Sequence, residues 1–172
     1  MNFLEELAAE WYEYKGYFVK RNIKFGGPAG KSTGGRSGEI DIIAYQPKNS
    51  IVVHIETSSD CDTWESRKKK FQEKKFTELA TAEYTKVLGF TPKSIERIAI
   101  VSYTKKPKDL NWQTVSGSPI EIWDIPTFIA GINSDFQKRR HARETSIPEQ
   151  LPLLRAIHYS ISYSALALQR DK

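Results

Sequence analysis

Apolar positions along this 172-residue chain change their period several times, and each change predicts an element. From Met1 to Lys15, Phe3, Leu4, Leu7, Ala8, Trp11 and Tyr14 recur at spacings of three and four, with Glu5, Glu6, Glu10 and Glu13 between them. That is an amphipathic helix, capped by Asn2 and closed by Gly16. Tyr17 to Phe25 supplies a first strand. Glu39–Ala44 and Ile51–Glu56 read as two further strands joined by a polar turn over Gln46–Ser50. From about Trp64 to Leu88 one long helix is expected, with Trp64, Phe71, Phe76, Leu79, Ala80, Tyr84 and Val87 outlining its apolar stripe. Gly89 and Pro92 break it. Ser94 to Tyr103 follows as a central strand, nearly continuous in its apolar half and so covered on both faces. Pro119–Trp123 is a short last strand; Asp124 caps a helix over Ile125–Ile132, with Pro126 in its first turn. Leu153 to Gln169 closes the chain as a helix that covers the sheet or pairs two chains.

The strand-borne acids stand out from this pattern. If Glu39–Ala44 and Ile51–Glu56 pair about the turn, Asp41 and Glu56 converge at the far end of the hairpin. Glu39 shares the face of Asp41; His54 and Ser58 share that of Glu56. Two carboxylates at the ends of apolar strands repel unless a cation lies between them, which is the shape of a Mg²⁺ site. Lone His141 and His158 are read as structural, and His54 as a buried, hydrogen-bonded residue just behind the acids.

The stretch Gly38-Glu-Ile-Asp-Ile-Ile-Ala44, a gap, then Glu56-Thr57-Ser58 resembles the PD-(D/E)xK nuclease superfamily. Its wording is close to YraN-like domains and archaeal junction resolvases, and the N-terminal helix and first strand extend the likeness. The resemblance implies a restriction-endonuclease-like αβββαβ core: a mixed central sheet flanked by helices over residues 1–132, with residues 133–172 as a basic segment and helical extension. It implies a Mg²⁺- or Mn²⁺-dependent endonuclease acting on DNA phosphodiesters. Asp41 and Glu56 would hold the metal with the carbonyl of Thr57, and Glu5 would reach the ion directly or through water; Glu6 and Glu10 stand in for Glu5 if the register differs. The motif's lysine is replaced by Ser58. Some members of the superfamily carry that lysine on the following helix, which makes Lys69, Lys70 and Lys74 candidates, with Ser58 as a polar ligand in the alternative. The rival reading is an inactive member of the same fold that binds nucleic acid or a protein.

Charge fits a nucleic-acid partner. The net charge is +5, and basic residues gather at Lys31 and Arg36, at Arg67, Lys68 and Lys69, and at Arg139 and Arg140. The glycine-rich loop at 26–36 is not a P-loop: Phe25 stands where the first Gly is needed, and a strand follows where a helix is needed. One cysteine excludes an intramolecular disulfide framework. With no signal peptide and no apolar run of spanning length, a soluble, cytoplasmic protein is expected.

Overall fold

The computed structural model describes residues 2–26, 38–60, 62–102, 112–139 and 147–170, with the backbone alone at 139 and 164–170. These residues form an α/β fold with six strands and five α-helices. Helix α1 is Phe3–Tyr14, and Asn2 and Glu5 form a reciprocal capping box at its start. Gly16, at φ 85°, makes the left-handed exit into β1, Phe18–Phe25. Strands β2 (Gly38–Gln46) and β3 (Ile51–Ser58) continue the antiparallel meander. After the helical crossover come β4 (Ser94–Val101), β5 (Trp112–Gln113) and β6 (Pro119–Asp124). The sheet order is β1-β2-β3-β4-β6-β5, with β4 parallel to both β3 and β6.

The crossover is not the single helix that periodicity predicts. It divides into α2 (Trp64–Lys70), a π-helical turn (Phe71–Lys75) and α3 (Glu78–Leu88). The amide of Phe76 donates to the carbonyl of Phe71 at 2.9 Å, enclosing one more residue than an α-turn. Phe76 then leaves helical geometry, and Thr77 caps α3 through Ala80. The extra residue lets Phe71 and Phe76, five apart, both bury. An uninterrupted α-helix would turn five positions through roughly 500° and point them apart.

Helices α4 (Ile125–Arg139) and α5 (Pro152–Arg170) lie with α1 against one face of the sheet. There Leu7, Trp11, Ile42, Ile55, Ile100, Ile132 and Leu154 share one apolar core. Asp124 accepts from the Thr127 amide at 2.7 Å, the predicted cap, and α4 continues well beyond its expected end. The opposite face carries two smaller clusters. Phe25, Ile40, Ile43, Val52 and Ala80 pack with Tyr84 of α3; Phe71, Phe76, Val101 and Trp112 gather beside them. No helix among the described residues is long and apolar enough to cross a membrane.

Glu10 ties the C-terminal extension to the core. Its buried carboxylate accepts from the amides of Leu153 at 3.3 Å and Leu154 at 2.9 Å, in the first turn of α5. Glu10→Ala leaves the buried Leu154 amide and the half-buried Leu153 amide without this partner, and we expect a loss of about 1–3 kcal/mol in urea-unfolding stability. An unchanged midpoint would show that α5 is held by apolar contact alone.

Candidate functional site

The hairpin register sets Asp41 beside Glu56. The β2–β3 ladder runs from Gln46↔Ile51 to Ile42↔Ile55, and the two acids are the next residues on each strand. On the other edge of β2, the ladder with β1 skips the Asn22 and Asp41 positions, and Asn22 has φ 54°. Ile40 and Ile43, three apart, both pack in the α3-side cluster, so side-chain alternation slips by one around Asp41. This local break brings the Asp41 carboxylate over the end of β3. Its Oδ2 accepts from the Thr57 amide at 2.8 Å and the Thr57 hydroxyl at 3.3 Å.

Between the two carboxylates lies the ammonium of Lys75, the last residue of the π-turn. Lys75 Nζ is 2.7 Å from Asp41 Oδ1 and 2.6 Å from Glu56 Oε2, and it donates to the Glu39 carbonyl at 2.9 Å. Behind them, fully buried His54 sets Nε2 2.6 Å from Glu56 Oε1 and Nδ1 against the Tyr84 hydroxyl. Its ring lies edge-on to Phe76 and Tyr84, one from each apolar cluster on this face. The site is therefore a line of side chains, Tyr84–His54–Glu56–Lys75–Asp41, entering a largely apolar sheet face on which Arg97 also reaches Thr81.

Electrostatics follow from that setting. Burial first, and then Asp41, push the Glu56 carboxyl well above the usual range, and Lys75 only partly opposes them. Burial works against the Lys75 ammonium, but Glu56 and Asp41 outweigh it and hold the charge on more tightly than in water. Burial, with Lys75 and Arg97 nearby, holds His54 well below its ordinary value and so neutral. One ammonium against two acids leaves a net negative centre when both are ionised.

The other predicted site residues fall elsewhere. Glu5 turns its carboxylate onto Asn2, 2.7 Å from Nδ2 and 3.2 Å from the backbone amide. Glu10, its understudy, caps α5. Ser58 is buried at the end of β3, its carbonyl accepting from the Ser102 amide at 2.9 Å. Lys70 pairs with Asp60 at 3.0 Å; Lys69 is exposed, Lys68 half-buried, and Lys74 lies exposed on the rim of a groove of about 850 Å³. The helix lysine that reaches the acids is thus Lys75. The π-turn accounts for the one-residue difference: closing at i+5, it carries position 75, and not 74, toward the sheet.

Arg67, expected at the surface as a phosphate contact, is fully buried. Its Nη2 binds the Asp60 carbonyl at 2.8 Å, the Asp60 carboxylate at 3.2 Å and Ser102 at 3.1 Å. It braces the turn after β3 and offers no surface to a ligand. Lys31, Arg36 and Arg140 lie outside the described residues, as do Cys61, His141 and the Arg139 side chain.

Among the described residues no three His, Cys, Asp or Glu side chains gather as a metal-binding group. Asp41 and Glu56 form a pair. Two carboxylates with a neighbouring carbonyl are a donor set that Mg²⁺ accepts, since that ion keeps several of its waters. No protein-family model matches this sequence, and no curated protein matches it.

Proposed function

We propose that this chain is a Mg²⁺- or Mn²⁺-dependent DNA endonuclease of the PD-(D/E)xK type, in which Lys75 takes the role of the lysine that Ser58 replaces. The observation that carries the proposal is the placement of the Lys75 ammonium within 2.7 Å of both Asp41 and Glu56. The αβββαβ order supports it further: an antiparallel meander, then a helical crossover to a parallel strand. Asp41, Glu56 and the Thr57 carbonyl would hold the ion. Bound there, the ion would lower the pKa of a water and offset charge on a phosphate. Lys75, giving up carboxylate oxygens to the ion, would stabilise charge developing on the scissile phosphate from beside it. Thr57 holds Asp41 in orientation from one side and Lys75 from the other.

The same triad also favours a second reading. Asp41 and Glu56 are already bridged by an ammonium, so the group stands as a buried structural ion cluster without any metal. Such a protein would be a binding module of the same fold, without cleavage.

Incubation with supercoiled and branched DNA in Mg²⁺ or Mn²⁺ separates the two. The endonuclease cuts, and its Glu56→Gln variant does not; the module binds and cuts neither substrate. On either reading the DNA affinity should fall steeply with salt, because each neutralised phosphate releases counterions. An affinity that ignores salt, or no binding at low salt, points to a protein partner.

A further inference from the structure

His54 does more than fill the sheet face. We infer that it is a positioning residue for Glu56, oriented in one tautomer by Tyr84. The inference rests on the metal-site reading above. Both ring nitrogens of this fully buried imidazole are engaged by side chains, Nε2 by Glu56 Oε1 at 2.6 Å and Nδ1 by the Tyr84 hydroxyl. A neutral imidazole has one donor and one acceptor. With the Lys75 ammonium 2.6 Å from its Oε2, Glu56 is present as a carboxylate and can only accept, so the proton sits on Nε2 and the Tyr84 hydroxyl donates to Nδ1. The chain of donation then has one direction, from Tyr84 to His54 to Glu56.

The consequence falls on Glu56. With Oε1 committed to the imidazole, the carboxylate plane is fixed and Oε2 is turned to the position that Lys75 occupies, 2.6 Å away. Phe76 packs edge-on to the imidazole at 4.6 Å and Tyr84 at 5.4 Å, so the ring has no room to tilt. The residue that follows the π-turn therefore clamps the histidine, while the last residue of that turn meets the carboxylate the histidine orients. Hydrogen-bond partners behind a metal ligand commonly govern affinity by about 10–100-fold.

The test uses three variants of the full chain and Mn²⁺ alone as the probe. His54→Leu removes the donor, His54→Gln places an amide N–H where Nε2–H was, and Tyr84→Phe keeps the ring but frees Nδ1. Imidazole ¹⁵N shifts of the metal-free wild type should show the Nε2–H form at His54, and Tyr84→Phe should admit the other tautomer. By calorimetry, His54→Leu and Tyr84→Phe should each bind Mn²⁺ about 10-fold or more weakly, and His54→Gln should recover most of the loss. If His54→Leu does not fold, the contrast of Tyr84→Phe with His54→Gln decides. An Nδ1–H tautomer in the wild type, or wild-type Mn²⁺ affinity in the variants, overturns the positioning role and leaves the metal site standing. No Mn²⁺ binding by the wild type removes the metal site, and this inference with it.

Discussion

Lys75→Met should abolish Mg²⁺-dependent DNA cleavage, by about 100-fold or more, the scale of removing one preorganised donor from a charged transition state. The methionine keeps the length of the stem and removes the ammonium, with its bond to the Glu39 carbonyl. Two further effects make the variant diagnostic. Without the ammonium, Asp41 and fully buried Glu56 face each other with no cation between them. Breaking a buried pair in this way costs about 3–5 kcal/mol, so the metal-free variant should unfold at lower urea than the wild type. Mn²⁺, however, no longer competes with Nζ for the same oxygens, so its affinity should be unchanged or higher, and adding it should restore the lost stability by linkage. A structural ion cluster gives the opposite result: the same destabilisation with no rescue by Mn²⁺. Lys74→Met, one position away on the exposed rim, should leave cleavage within about 2-fold, since surface charges contribute little.

That a lysine of the following helix could reach the acids was readable; that it would be Lys75 was not. The run Lys68–Lys70 and Lys74–Lys75 offers a cation in almost any register, so charge gives no guidance. The π-turn decides, and it forms because Phe71 and Phe76 both find apolar neighbours, including Trp112 and His54. A five-residue spacing of large aromatics inside a helical pattern was the available signal. It yields to the four-residue rule unless the partner surface is known. Strand β5 was hidden for a similar reason: it is two residues long, anchored by buried Trp112 within a polar stretch, and its identity lies in pairing with β6. The β2–β3 hairpin was readable because its turn and its β-branched run fix one register, and that register alone brings Asp41 to Glu56. Glu5 and Glu10 show the limit of the helix pattern. Both are helical glutamates in acid-rich surroundings; one caps its own helix and the other caps α5, an assignment that depends on where a segment 144 residues later docks.

Asp41→Asn and Glu56→Gln should each reduce Mn²⁺ affinity by about 100-fold or more, exceeding the loss expected from a partner behind the ligand. The two variants differ in what they do to the fold. Every oxygen of the two carboxylates faces a donor: Asp41 meets Lys75 and Thr57, and Glu56 meets Lys75, His54 and, at a longer 3.4 Å, the Asp41 amide. An amide in either place turns an NH₂ against one of them. Glu56→Gln has a way out, because His54 can move its proton to Nδ1, accept from the new amide at Nε2, and donate to the Tyr84 hydroxyl. It also removes a carboxyl that burial and Asp41 hold far above its normal range. Its stability should stay within about 1 kcal/mol of wild type, with the His54 tautomer inverted in ¹⁵N spectra. Asp41→Asn has no such adjustment on the β3 side, since the Thr57 amide cannot reverse. Its NH₂ must face Lys75, and the displaced ammonium should cost about 1–3 kcal/mol. Calorimetric titration with Mn²⁺ beside urea unfolding checks both halves. Wild-type Mn²⁺ affinity in both variants would remove Asp41 and Glu56 as ligands, whatever their effect on stability.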